Sequence, residues 1–233
     1  SSESRRIVEM VQRSVRTDFR RRGAVIGVSG GVDSATVLAL ANLALGQQRV
    51  LPLFLPEKDS SPASEALARQ ATERYGLKLV VDNITDTLVA LGCYERRDAA
   101  VRSVCPDFDP SFDRFKIVLP CDLLCRASLN VFSLVVIRRD GSEERKILPM
   151  PAYLEIVACS NMKQRVRMLK LYYYAERHNY AVVGTANKNE HDQGFFVKYG
   201  DGGADVQPIR HLYKTQVYQI ARYLDVPDNI LSR

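Results

Sequence analysis

Two stretches of the chain hold residues whose types and spacing suit phosphate chemistry. The first is Ser29-Gly30-Gly31-Val32-Asp33-Ser34. Paired glycines let successive backbone N–H groups point into one concavity, and the two serines add hydroxyl donors. A Walker loop would place a Lys after its last glycine. Here an Asp follows instead, and its carboxylate suits Mg²⁺ bridging phosphate oxygens. The second stretch runs from Gly184-Thr185-Ala186-Asn187-Lys188-Asn189-Glu190 to Lys198-Tyr199-Gly200-Asp201-Gly202-Gly203-Ala204-Asp205. So many glycines and aspartates in one run exclude a regular helix or strand and predict a structured loop. Glu190 is a candidate second Mg²⁺ ligand opposite Asp33, and Lys198 and Lys214 are candidates to neutralise phosphate charge. Taken singly, Glu190 and Lys198 read as surface charges; beside the hexapeptide they read as parts of one site.

These stretches need a frame. Residues 24–28 form a short apolar, β-branched run, which predicts a buried strand ahead of the first loop. Ala35, Val37, Leu38, Ala41 and Leu45 then recur at helical spacing as far as Gly46. The new helix brings its positive dipole end to the loop. A helix is predicted over 3–22, with Ile7, Val8, Val11, Val15 and Phe19 on one face. Further strands are predicted at 49–55, 77–81 and 180–183. Ser61 is placed to cap a helix through Tyr75. Helical signal returns at 152–159 and again at 161–178, where Asn161, Arg165 and Tyr172 share a face. Strands alternating with helices imply right-handed crossovers and a parallel, doubly wound sheet flanked by helices. Both loops leave carboxyl ends of strands, where such sheets bind ligands.

Residues 93–149 break this alternation. Runs at 130–137 and 143–148 flank Arg138-Arg139-Asp140-Gly141, and Asp-Gly between strand-like runs signals a β-hairpin. We read 93–149 as an insertion, a hairpin arm within one domain of 233 residues.

Composition narrows the class. A chain of 233 residues with 46% hydrophobic content holds a sizeable α/β core. No apolar run reaches the ~20 residues of a membrane span, and the first residues show no secretory signal, so a cytoplasmic protein with no membrane partner is expected. Five cysteines without a CxxC pair argue against a disulfide framework or zinc ribbon. Cys121 and Cys125 read as small apolar side chains rather than metal ligands. The net charge of +6 comes largely from Arg5, Arg6, Arg13, Arg16, Arg20, Arg21 and Arg22. They read first as a solvated helix face and second as an attractor of polyanionic small molecules. RNA ranks last, because no aromatic platform is interleaved, and no nucleic-acid partner is expected.

The hexapeptide after a buried strand resembles the pyrophosphate loop of the ATP pyrophosphatase superfamily, whose members cleave ATP between the α and β phosphates. Longer strings narrow the resemblance. Asn187-Lys188-x-Glu190, Gly194-x-Phe196-x-Lys198-Tyr199-Gly200-Asp201-Gly202-Gly203-Ala204-Asp205 and Asn161-x-x-x-Arg165-x-Arg167-Met168-x-x-x-Tyr172 resemble the signature of NAD synthetases of the ammonia-dependent type. The resemblance covers about residues 20–90 and 150–230. It implies an adenine nucleotide alpha hydrolase-like fold.

In that family ATP adenylates the nicotinate carboxylate of deamido-NAD, and ammonia then displaces AMP. Carried onto this sequence, Ser29, Gly30, Gly31, Val32, Asp33 and Ser34, with Lys58, Thr185 and Lys214, are expected to bind ATP. Asp33 and Glu190 are expected to bind Mg²⁺. Asn161, Arg165, Lys198, Asp201 and Asp205 are expected at deamido-NAD or the ammonia locus. Asp33, Lys198 and Asp201 are the expected catalytic group. Lys58 and Val197 stand where the family often has Arg and Thr, and Val157 where an aromatic residue is common. The family pattern also implies a homodimer, with ammonia taken free or from a separate glutaminase. Two other readings compete: the same chemistry on a different carboxylate, and a non-catalytic nucleotide-binding paralogue.

Overall fold

The computed structural model describes residues 2–119 and 132–232; Cys121 and Cys125 lie outside them. In chain order the elements are α1 (Ser2–Arg13), β1 (Ala24–Gly27), α2 (Val32–Leu45), β2 (Val50–Phe54), α3 (Pro62–Arg74), β3 (Val80–Val81), α4 (Thr85–Ala90), α5 (Cys93–Val104), β4 (Arg114–Val118), β5 (Ser133–Ile137), β6 (Glu143–Ile147), α6 (Met150–His178), β7 (Ala181–Val183), α7 (Lys188–Asp192), α8 (Lys214–Tyr223) and α9 (Asp228–Leu231). The chain divides into two compact units, residues 1–86 with 164–233, and residues 87–163.

The first unit is built on a four-stranded parallel sheet of order β3-β2-β1-β7. Parallel strands bury both faces, and β1 and β7 are accordingly short, apolar and almost wholly inaccessible. The helix after β1 is apolar around most of its circumference. Val37, Leu38, Leu40 and Ala41 of α2 are all buried in one cluster with Ile26 and Val183 of the sheet, Ile7 and Val11 of α1, and Val217 and Ile220 of α8. A helix that is apolar all round must be covered on several sides, and the amphipathic α1 and α8 are packed against it. Strand order reverses direction between β1 and β7, so the crevice beyond their carboxyl ends is the expected ligand position of a doubly wound sheet.

Several boundaries differ from the sequence reading. The first helix stops at Arg13 and closes with a π-turn over Ser14–Asp18. Val15 remains buried, but Phe19 falls past the turn and is exposed. Ser61 holds the N-cap position of α3, yet its hydroxyl makes no cap; the Ser64 N–H bonds its carbonyl at 2.9 Å instead. The two helices read at 152–159 and 161–178 are one continuous α6. Neither Gly nor Pro interrupts the junction, so nothing stops propagation through Ser160.

In the second unit an antiparallel sheet of order β4-β5-β6 packs on α5. Val101, Phe108, Leu134, Val136 and Leu148 form its core, and Phe132 stacks on Tyr153 with ring centroids 4.2 Å apart. The hairpin lies where Asp140-Gly141 places it. Arg138 N–H donates to Ser142 O at 2.9 Å, and Gly141 takes the left-handed conformation at φ 83°. β4 lies in a stretch where the sequence shows no clear period. Charges of this unit pair with one another. Arg138 bonds Asp113 Oδ2 at 2.7 Å, Glu144 Oε2 at 2.6 Å and Cys105 Sγ at 3.1 Å. Lys146 bonds Glu144 at 2.8 Å. Lys146 first, and then Arg138, pull the Glu144 carboxyl down to about 2. Among the described residues no helix is long and apolar enough to cross a membrane.

Candidate active site

The Ser29–Ser34 loop begins two residues after β1 and runs into α2. Gly30 sits at φ 78°, and a Cβ there would lie 2.6 Å from Ser64 O, so only glycine fits this approach. The two serines organise the turn. Ser34 Oγ donates to Gly31 O at 2.9 Å and accepts from the Ser29 N–H at 3.2 Å. Ser29 Oγ accepts from the Gly31 N–H at 3.3 Å and lies 3.2 Å from Ser34 Oγ. The first helical bond is made by Ala35 N–H to Gly31 O at 3.1 Å. The N–H groups of Val32 and Asp33 therefore precede the helical ladder at the positive end of α2. The Val32 side chain is buried in the core, so only its backbone belongs to the loop.

Asp33 links this loop to the second one. Its Oδ2 takes the Lys214 ammonium, and its Oδ1 accepts from Asn187 Nδ2 at 3.2 Å. Asn187 is 2% exposed and caps α7. Its Oδ1 accepts the Glu190 N–H at 3.2 Å, while the Asn187 N–H donates to Glu190 Oε2 at 3.2 Å. One buried residue thus holds both candidate metal carboxylates, Asp33 through its side-chain amide and Glu190 through its backbone N–H. Burial, then the neighbouring Asp33 and Asp201 charges, push the Glu190 carboxyl above its usual range, against the Lys214 charge that favours ionisation. Among the described residues no three His, Cys, Asp or Glu side chains could together hold a metal ion. A pair of mutually repelling carboxylates, one of them bonded by a lysine, fits Mg²⁺, which takes one or two protein carboxylates and completes its shell with phosphate and water.

Beside the loop lies a cavity of about 310 Å³ at the carboxyl ends of β1, β2 and β7. Its walls include Phe54, Met168, Leu171 and Val182, and its polar positions include Ser29, Arg167, Thr185 and Asp201. Arg167 Nε donates to Leu55 O at 3.1 Å, which fixes α6 against the end of β2. This composition, apolar walls with few polar groups, suits a heteroaromatic ring with a polar tail.

The structure distributes the sequence-expected residues unevenly. Ser29, Thr185 and Asp201 line the cavity. Asp201 also accepts the Val197 N–H at 2.8 Å, closing the turn that carries Lys198. Asp33, Glu190 and Lys214 form the cluster just described. Lys198 is exposed, its ammonium 5.1 Å from the Tyr199 ring centroid and its carbonyl bonded by Arg165 Nε at 3.1 Å. Lys58 is exposed on the link after β2, outside the cavity lining. Asn161 lies on the part of α6 that belongs to the second unit.

Asp205 has a structural duty. Its Oδ1 accepts from Tyr172 Oη at 2.8 Å and its Oδ2 accepts the Val182 N–H at 2.8 Å. Tyr172 Oη also lies 2.7 Å from Gly203 O, so the glycine loop is tied to α6 and β7. Burial first, then Asp205, raise the Tyr172 hydroxyl above its ordinary value and keep it a donor. Asn187 and Tyr172 stand in the signature strings with no role attached, and the geometry gives each one. The N-x-x-E spacing of a capping box was the available signal for Asn187.

Comparison with known proteins agrees with this geometry. A profile of the NAD synthase family matches residues 3–103 and 141–233. An NH(3)-dependent NAD(+) synthetase of Rhizobium rhizogenes is 47% identical over 233 residues, spanning 100% of this chain and 70% of the relative. Another from Thermotoga maritima is 39% identical over 223 residues, 93% of this chain and 71% of the relative. The structure of NMN synthetase from Francisella tularensis matches with a TM-score of 0.69 and 26% identity, covering 100% of this chain and 73% of that one. An NH3-dependent NAD synthetase from Campylobacter jejuni matches in fold, with a TM-score of 0.68 and 24% identity, over 99% of this chain and 76% of that one. Sequence and fold agree over the whole described chain, with the Ser29–Ser34 loop and the Asn187–Glu190 clasp both inside the matched segments, and the chain belongs to the NAD synthase family.

Proposed function

We propose that this chain is a ligase that amidates deamido-NAD with ammonia at the expense of ATP, releasing AMP and pyrophosphate. The observation that carries the reading is the junction of the Ser29–Ser34 loop, Asp33, Lys214 and the Asn187–Glu190 clasp beside an apolar-walled cavity. In this reading the adenosine of ATP occupies the cavity near Thr185. The β and γ phosphates lie on the loop and the start of α2. Lys214 exchanges its bond to Asp33 for phosphate oxygens. Asp33 and Glu190 are the residues that would hold Mg²⁺, which when bound supplies charge neutralisation on the pyrophosphate leaving group.

A nicotinate carboxylate oxygen attacks the α phosphorus as the α–β bridging P–O bond breaks and pyrophosphate leaves. Ammonia then attacks the acyl carbon, its nitrogen loses one proton to solvent, and AMP departs with the carboxylate oxygen. Neither step needs a nucleophilic side chain, so positioning and charge stabilisation carry the rate. Lys198 and Asp201 sit on the loop we assign to the acyl centre, and Arg165 supports that loop through the Lys198 carbonyl. Asn161 is assigned to the dinucleotide. Lys58, on the link after β2, is assigned to the ATP phosphates. Asp205 acts by positioning.

The finer assignments follow the family. We read 93–149 as an insertion in one NAD synthetase-like domain, which the unmatched stretch between residues 103 and 141 supports. Leu169 at 65% and Tyr173 at 53% exposure give α6 an apolar stripe suited to a second copy, supporting a homodimer. The setting is cytoplasmic, with ammonia taken free or from a separate glutaminase. The test is NAD formation from deamido-NAD, Mg-ATP and ammonium, with nicotinate mononucleotide as rival acceptor. Preference for deamido-NAD supports the reading. Preference for the mononucleotide replaces the substrate, and turnover of neither removes the reading.

A further inference from the structure

A second recess lies at the other end of the sheet. It occupies about 560 Å³ at the amino ends of β1, β2 and β7, and Arg16, Arg21, Arg22, Arg49, His178 and Tyr180 line it. These side chains come from three separate segments: the turn between α1 and β1, the residue before β2, and the link from α6 to β7. β1 separates this recess from the Ser29–Ser34 loop, so the two cannot be one site.

The arginines are gathered by the backbone. After the π-turn, Arg20 adopts φ 52° and Asn179 adopts φ 55°, both in the left-handed region. The Arg21 N–H bonds Val15 O at 2.7 Å and the Arg22 N–H bonds Asn179 O at 2.8 Å. At Gly23 a Cβ would lie 2.4 Å from Arg49 O and 2.6 Å from the Tyr180 ring, so glycine alone lets the segments close on one another. Tyr180 Oη donates to Gln48 O at 3.2 Å, which fixes the ring as one wall.

Charge in this recess is not balanced. No carboxylate lines it. Arg21 bonds a neutral partner, Asn179 Oδ1, at 2.8 Å. Among the described residues, Arg16, Arg22 and Arg49 make no ion pair. The neighbouring pair joins Arg13 to Asp18, neither of which lines the recess. The contrast within the chain is direct: Arg138 is held between two carboxylates. Converging guanidinium groups in a concave site, left without counter-charges, match a ligand with several phosphate oxygens, because each fork can donate to two of them.

We infer that this recess is an accessory site for a small oligophosphate, either free or as the phosphate tail of a nucleotide. The volume accommodates either. The site is independent of the ligase reading, since it uses none of the residues placed in that machinery.

The test is titration calorimetry of inorganic tripolyphosphate, and separately of a non-hydrolysable ATP analogue, into the full chain and into R22Q/R49Q. Both substitutions remove the charge while keeping a polar, hydrogen-bonding side chain on the same Cβ–Cδ stem. We expect the wild-type chain to show a class of tripolyphosphate sites that R22Q/R49Q weakens at least tenfold, with the NAD-forming rate unchanged. The single variant R16Q, distant from the strand starts, should weaken it severalfold and stands in should the double variant fold poorly. Equal affinity for tripolyphosphate and analogue at this site assigns it to the phosphate chain alone. Tighter analogue binding that the same variant removes assigns the site to the phosphate tail of a nucleotide. Identical isotherms for wild type and a folded variant would overturn the inference, as would a single-stranded oligonucleotide that binds far tighter and is lost in the same variant.

Discussion

The two units use charged residues in opposite ways. In residues 87–163, Arg138, Asp113, Glu144 and Lys146 close on one another at 2.6–2.8 Å. In the first unit, Asp33, Glu190, Lys214 and Asp201 are brought together without being mutually satisfied. Three of them are anions, one carries a carboxyl pushed up by burial and by its neighbours, and the single lysine bonds only one. A network that satisfies its own members stabilises a fold. One that concentrates like charge beside a cavity is waiting for a partner.

Variants can break this contrast, and the largest effect should come from Asp33. Asp33→Ala removes the residue shared by loop, lysine and clasp, and should lower turnover by about 10³-fold or more at unchanged melting temperature. Steady-state NAD formation and thermal unfolding together check it. Glu190→Gln should lower turnover by roughly 10²-fold and raise the Mg²⁺ concentration for half-maximal rate, read from a metal titration. Tyr172→Phe acts on position rather than chemistry. It removes the donor to Asp205 and Gly203, and should shift KM about tenfold while costing about 2–4 °C of melting temperature.

The smallest effect on activity should come from the second unit, where R138Q/K146Q should leave turnover within about twofold. Its signature is pH dependence. The folded Glu144 carboxyl lies at about 2, below its ordinary 4.5. The stabilisation is therefore complete above about 4.5 and is lost as pH falls toward 2. Thermal unfolding across that window should decline in the wild-type chain and flatten in the double variant.

Legibility in the sequence also differed between the units. The Ser29–Ser34 loop was readable because strand, glycine turn and helix each leave a local signal, and those signals agree. The sequence reads as two helical stretches, at 152–159 and 161–178, where the structure has the single α6. β4 was obscured because only Phe115 and Ile117 alternate inward among exposed charges, and its burial comes from pairing with β5. The signature string marks Asp205 as a ligand contact, while its contacts to Tyr172 and the Val182 N–H are set by tertiary structure and leave no local signal. The arginines of residues 16–22 read as a solvated face. Arg49 and His178, which complete their recess, lie far away in sequence and carry no motif.

The central claim is that the carboxylate of the acceptor is adenylated at the first unit's loop before ammonia arrives. Deamido-NAD labelled with ¹⁸O in its nicotinate carboxylate tests it most directly, with AMP recovered after turnover with Mg-ATP and ammonium. Adenylation requires one labelled oxygen on the phosphate of each AMP, with no AMP formed by Asp33→Ala above background. Unlabelled AMP accompanying NAD formation would contradict the account.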